Sequence, residues 1–317
     1  MHMNQLDKAI IRTMAYFDML DYPLTAFEIW KYLYRPELPT HARTIQQVAD
    51  ALEDSPELRQ LIARVEGFYC LNGRESIVAM RKVRNLAVDR QLRKVVRMVQ
   101  WLRLFPSIRM IAIASSLSWG NVKETSDIDL FIIARQGQVW QARLWAAGFL
   151  KLLRKRPQEG KTRDRYCLSF FITEDNLDVE SAAVSPDDIG FQYYVASFMP
   201  VYDPDGLYGQ FRSANHWLQK LLPNTFGDRL IVEVGAPPAL HAWHRFFSAI
   251  LHPFFNGRFQ DWYCNMQLRI MPERLKSIAN IDKRVIISDT MLKFHDKDNR
   301  VSLRKQWLEK IHQYENA

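Results

Sequence analysis

Two carboxylates and two serines mark the stretch of this 317-residue chain whose residue types and spacing suit chemistry. Asp127 and Asp129 stand two apart and run into the apolar segment Leu130–Ile133. Side chains at i and i+2 of a strand share a face, roughly 6–7 Å apart along it. Carboxylates so placed can hold Mg²⁺ (or Mn²⁺), since Mg²⁺ takes one or two carboxylates together with phosphate oxygens. Upstream, the apolar run Met110–Ala114 leads into Ser115-Ser116 and a turn near Trp119-Gly120-Asn121. Small residues after a strand let backbone N–H groups approach a phosphate, and a helix start there would add a favourable dipole. The competing reading of Asp127 and Asp129 is a solvated beginning to a strand.

The order of Ser116, Gly120, Ser126, Asp127, Ile128, Asp129 and Leu130 resembles the signature of the DNA polymerase beta-like nucleotidyltransferase superfamily. That signature reads Gly-Ser, a turn, then S-D-x-D-L on a strand; Ser115 stands where the family has Gly. The resemblance implies a Mg²⁺-dependent enzyme that transfers NMP from an NTP to a hydroxyl acceptor. Asp127 and Asp129 would be its catalytic and metal-binding residues, with Ser115, Ser116 and Gly120 at the nucleotide. Superfamily enzymes usually carry a third carboxylate on a further strand, acting as base. In Tyr166–Ile172 the candidates are Cys167, Ser169 and Phe171 on one face, or Leu168 and Phe170 on the other. None is acidic, and Ser169 aligns with the missing acid. A catalytically weak nucleotide-binding or scaffolding module of the same fold is therefore the alternative.

The elements that must position these residues can be read from periodicity and punctuation. Residues 4–20 carry Leu6, Ile10, Ile11, Met14, Phe17 and Leu20 at helical spacing. Thr25/Glu28 and Thr44/Gln47 read as capping boxes opening two more helices. Leu61–Val65 and Phe68–Leu71 read as a hairpin around Glu66-Gly67. Three helices and a hairpin give a winged helix-turn-helix over residues 1–75. Its third helix offers Gln46, Gln47, Asp50, Glu53 and Asp54, with only His41 and Arg43 before it. Acidic residues repel phosphate, so a DNA-binding regulator is a further alternative that this helix disfavours. A basic amphipathic helix over 76–106 connects to the catalytic unit, residues 107–175.

That unit contains strands at Met110–Ala114, Asp129–Ala134 and Tyr166–Ile172, and a helix over Trp140–Leu153 bearing Arg143. Arg154, Lys155, Arg156, Lys161, Arg163 and Arg165 cluster in the loop that follows. Together with Arg143, that cluster can cover a triphosphate or simply form a wet loop. Residues 176–317 read as mainly helical, through Asp187–Phe198, Gly206–Leu222, Leu240–Leu275 and Val301–Tyr314, with a short strand at Arg284–Ser288 and a turn at Leu292–His295. The fold class expected is α+β: a winged helix, a nucleotidyltransferase-type mixed sheet with flanking helices, and a helical C-terminal region. The whole-chain order also resembles bacterial nucleotidyltransferase-domain proteins with an N-terminal winged helix.

Composition sets the bounds. Apolar content of 48% and charged content of 25% fit a chain with real cores, and the net charge of +8 suits an anionic partner such as a nucleotide. Three scattered cysteines, without a C-x-x-C pair, speak against a disulfide framework and for a reducing cytoplasm. No signal peptide or membrane span is expected. His241, His244 and His252 lack acidic or thiol partners at zinc spacing. The Phe246, Phe247, Phe254, Phe255 and Trp262 cluster reads as core or as a surface for a second copy of the chain, in preference to a face for a membrane surface.

Overall fold

The computed structural model describes residues 3–35, 44–158, 160–226, 259–295 and 299–315. Helix α1 (Gln5–Met19) starts at Asn4, whose side chain accepts from the Asp7 amide at 2.9 Å. Its apolar stripe buries Ile10, Met14 and Phe17. Both expected capping boxes are present, at α2 (Ala26–Lys31) and α3 (Ile45–Asp54). A fourth helix, α4 (Pro56–Leu61), begins at the Ser55 cap with Pro56 in its first turn, and takes Leu61 out of the expected strand. Strands β1 (Ile62–Val65) and β2 (Phe68–Leu71) pair across Glu66 and Gly67, both at positive φ as a tight hairpin turn requires. The long helix α5 (Ser76–Leu102) follows.

The sheet that carries the acidic pair is built from β3 (Ile108–Ala114), β4 (Ile128–Ala134), β5 (Tyr166–Thr173), β6 (Met199–Tyr202), β7 (Val285–Ile287) and β8 (Met291–Phe294). Its order is β6-β3-β4-β5-β8-β7, and β4–β5 is the parallel pair in an otherwise antiparallel ladder. Helix α6 (Ser115–Trp119) directly follows β3, and α7 (Val139–Leu152) crosses from β4 to β5. Alternation along the strands fills both faces. Ile111, Ile113, Leu130, Ile132 and Phe171 pack on one side with residues of α5 and α7. Met110, Ala112, Phe131, Ile133 and Phe170 pack on the other, with α8 (Ile189–Ala196) and α9 (Leu207–Ala214). The chain is thus mixed α+β, a six-stranded sheet with flanking helices.

Three stretches differ from the sequence reading. Leu292–Phe294 is not a turn but most of β8, hydrogen-bonded to β5. The strand is only four residues long, and Lys293, fully buried, donates its ammonium to the Lys283 carbonyl, which breaks the apolar pattern. Gly206–Leu222 is not one helix. Asn215 accepts from the Val179 amide and donates to the Leu177 and Phe211 carbonyls, ending α9, and a 3₁₀ turn over His216–Lys220 follows. Asp187–Phe198 is helical only over α8. His241, His244, His252 and Phe246–Phe255 lie outside the described residues, and the C-terminal part of the Leu240–Leu275 reading is a helix over Gln260–Ile270.

The first helices share their core with the end of the chain. Ile189 and Tyr193 of α8, Leu222, and Trp307 and Ile311 of the last helix (Arg300–Glu315) pack with α1. No helix among the described residues is long and apolar enough to cross a membrane. Asp188 ties this arrangement together. It accepts from the Val184 and Phe191 amides at 3.0 and 3.1 Å and from Arg300 Nη1 at 2.7 Å, wholly buried. Removing one partner of such a buried pair strands the other charge, so Asp188→Ala is expected to cost about 3 kcal/mol or more by urea denaturation. A loss below about 1 kcal/mol would show that the pair is not a structural tie.

Candidate active site

The ends of four strands meet at one edge of the sheet. β3 delivers Ser115 and Ser116, β4 delivers Asp129, β5 delivers Cys167 and Ser169, and β8 leads into His295; all line one cavity of about 440 Å³. Asp127 precedes β4 and turns to the same side. A carboxylate oxygen from each of Asp127 and Asp129 and the Cys167 Sγ lie within 4.8 Å of one another.

The local fold explains this convergence. Asp129 pairs with Cys167 across the parallel ladder, whereas Phe131 pairs with Phe170, so a two-residue step on β4 faces a three-residue step on β5. Cys167 and Ser169, two apart, both line the cavity, and the bulge reverses the alternation beyond them, so that Phe171 packs with Leu168 on the opposite face and not, as expected, with Cys167 and Ser169. The segment before β4 is fastened on two sides. Gln91 of α5 donates to the Ser126 carbonyl at 3.2 Å, the Ile128 amide to the Arg165 carbonyl at 2.7 Å, and Lys94 pairs with Asp164 at 2.6 Å. The serine turn is clamped as well. Tyr22 donates to the Trp119 carbonyl at 2.5 Å, Asn121 to the Leu20 carbonyl at 2.9 Å, and Ser118 to Ser197 Oγ at 2.9 Å. Ser115 itself sits at φ +57°, the left-handed region that glycine adopts freely. Gly120, at φ +76°, closes α6 against Tyr22.

The electrostatics are those of a site short of positive charge. Among the described residues, no Lys, Arg or His forms an ion pair with Asp127 or Asp129. Burial, then the charge of Asp127, pushes the Asp129 carboxyl up to about 7, while hydrogen bonds with Ser115 and Cys167 pull the other way. Burial raises Asp127 too. Burial and the two carboxylates hold the Cys167 thiol well above its ordinary range, so it stays protonated. The donor set fits a hard divalent cation on the two carboxylates, with the neutral thiol as a neighbour.

The other residues singled out from sequence fall as follows. Ser115, Ser116 and Ser169 line the cavity, and Gly120, Arg143 and Lys161 do not. Arg143 instead lies over the Phe294 ring, 4.4 Å from its centroid, and Phe294 does line the cavity. Lys161 is exposed, in a small bridge to Gln158. The basic face of α5 is largely spoken for: Arg81 donates to both Glu28 oxygens at 2.7 and 2.8 Å, and Arg84 to Asn121 at 2.6 Å.

One residue was missed. His295 Nε2 stands 2.9 Å from Ser169 Oγ, and its ring meets that of Tyr194 edge-on with centroids 5.5 Å apart. It lies 126 positions from Ser169 in the chain, and only the β5–β8 pairing brings the two together. Compared with family models, curated proteins and solved structures, the chain matches none.

The raised Asp129 carboxyl has a direct consequence. The folded chain binds this proton more tightly than the unfolded chain, whose carboxyl titrates near the ordinary 3.8. Without divalent metal, this group therefore lowers stability as pH rises from about 4 towards 7. Asp129→Asn is expected to flatten that fall and to be more stable than wild type at pH 8, read from urea midpoints at pH 5 and 8. Parallel pH profiles for the two proteins would contradict it.

Proposed function

We propose that this protein is a Mg²⁺-dependent nucleotidyltransferase that moves NMP from an NTP to a hydroxyl acceptor. The observation that carries the reading is the Asp127–Asp129 pair, with no cationic partner among the described residues, at a cavity lined by Asp129, Ser115 and Ser116. Asp127 and Asp129 would hold the cation, which when bound neutralises charge on the phosphates and the leaving group. The Ser116 hydroxyl, at the end of β3, would donate to a phosphate oxygen, and the Ser115 hydroxyl would do so on giving up its hydrogen bond with Asp129. Where the superfamily resemblance expects a third acid stands Ser169, hydrogen-bonded to His295. His295 would take the proton of the acceptor hydroxyl, with Ser169 fixing the ring.

Incubation with each labelled NTP and Mg²⁺ or Mn²⁺ tests the reading through pyrophosphate release or self-labelling. Asp127→Ala and Asp129→Ala are expected to abolish the signal. His295→Ala should lower kcat by about 10²-fold or more while nucleotide affinity stays within about twofold. Turnover that survives loss of both aspartates would overturn the assignment.

The absence of an acid at Ser169 favours a second reading, a nucleotide-binding or scaffolding module without turnover. It gives nucleotide-dependent thermal stabilisation and no pyrophosphate. Duplex DNA reading through α3 has less support: Gln46 is tied to Asp50, Glu53 pairs with Arg64, and the exposed face remains acidic.

A further inference from the structure

Ser169 has a partner that other buried hydroxyls of the chain lack. Ser197 and Thr225, also buried, donate to the main-chain carbonyls of Tyr194 and Leu222, both at 2.8 Å. Ser169, 4% exposed, meets a ring nitrogen instead, with its Oγ 2.9 Å from His295 Nε2. Both side chains line the cavity, as do Asp129, Ser115 and Ser116. A serine hydroxyl within hydrogen-bond reach of an imidazole has the arrangement of a nucleophile and its base.

The surrounding structure holds the two in place. Ser169 lies within β5, and the His295 amide donates to the Arg284 carbonyl at 3.0 Å. The rings of Phe170 and Tyr194 meet the imidazole edge-on, at 6.4 and 5.5 Å between centroids. With its hydrogen on Nδ1, the ring accepts from the serine through Nε2 and can take its proton. Cys167, the ladder partner of Asp129, brings its Sγ within 4.8 Å of oxygens of both aspartates. Ser169 is two residues further along the same cavity wall, roughly 6–7 Å at the rise of a strand. A cavity of about 440 Å³ is of the size that takes a single small molecule. A hydroxyl at this place is a poor substitute for a third carboxylate as base, but with an imidazole beside it a competent attacking group.

We infer that Ser169 is the first acceptor, and that transfer passes through a covalent Ser169–NMP adduct. The inference rests on the nucleotidyltransferase reading and adds the intermediate to it. In the first step Ser169 Oγ bonds to the α-phosphorus, the bond from that phosphorus to the pyrophosphate oxygen breaks, and the serine proton passes to His295 Nε2. His295 then gives that proton to the departing pyrophosphate. In the second step the acceptor oxygen bonds to the α-phosphorus and the phosphorus–Oγ bond breaks. His295 takes the acceptor's proton and returns it to Ser169 Oγ.

Incubation of the full chain with α-labelled or γ-labelled NTP and Mg²⁺ or Mn²⁺, without added acceptor, tests the inference. The α label is expected on the protein and the γ label is not, with a burst of pyrophosphate stoichiometric with the chain. Labelled pyrophosphate should exchange back into NTP, which a direct transfer without acceptor does not allow. Peptide mass spectrometry should place NMP on Ser169. Folded Ser169→Ala should lose both the label and the exchange, and His295→Ala should slow labelling by about 10²-fold or more. The wild-type mapping decides the matter even where Ser169→Ala fails to fold. Pyrophosphate release that depends on Asp127 and Asp129 but leaves NMP elsewhere on the chain, or nowhere, would overturn the inference and leave the transfer reading standing. Neither pyrophosphate release nor an adduct from any NTP would overturn both.

Discussion

Two carboxylates drawn together at the wall of a cavity repel each other, and folding must overcome that repulsion. Asp127 and Asp129 reach within 4.8 Å of one another and of the Cys167 thiol, and no positive side chain among the described residues offsets them. Asp129, raised to about 7, bears the larger burden. Structural carboxylates in proteins are normally paired or solvated. A close pair at a cavity wall, with Ser115 and Cys167 hydrogen-bonded to Asp129 and no cationic partner among the described residues, is an arrangement that suits a divalent cation, and several of the surrounding contacts hold it in place.

The support comes from all parts of the chain. β4 is central in the sheet, with β3 and β5 hydrogen-bonded along its two edges, so its backbone has little freedom near Asp129. α5 fastens the loop before it through Gln91 and Lys94. The N-terminal helices fasten the serine turn through Tyr22 and the Leu20 carbonyl. Trp119 sits among Phe17, Tyr32 and Tyr193, so the same aromatic cluster joins α1, α6 and α8. The last helix reaches the cavity wall with Arg300 and Leu303. The first and last segments of the chain are therefore parts of the site's frame rather than appendages to it.

Much of this frame was legible in the sequence because it is written locally. The capping boxes at Thr25 and Thr44 involve residues three apart, and the apolar stripe of α1 repeats at helical spacing. The Asp127–Asp129 pair was legible as a spacing of two at the start of an apolar run, although only Asp129 lies in the strand and Asp127 stands just before it. What escaped depends on contacts between distant segments. β8 is too short and too polar, with buried Lys293 at its centre, to announce a strand, so His295 could not be placed beside Ser169. Arg156 looked like one of several charges in a wet loop, and only the tertiary fold separates it from exposed Lys161. Ser115 reads from identity as a departure from glycine, yet its backbone occupies the conformation glycine favours.

The most direct test of the acidic pair as a cation site is anomalous scattering from crystals grown with Mn²⁺ and a non-hydrolysable NTP analogue. The account predicts a Mn²⁺ peak in contact with carboxylate oxygens of both Asp127 and Asp129, with the triphosphate against Ser115 and Ser116. Nucleotide bound elsewhere, or a cavity in which the two carboxylates face each other with no metal between them at saturating Mn²⁺, would contradict it.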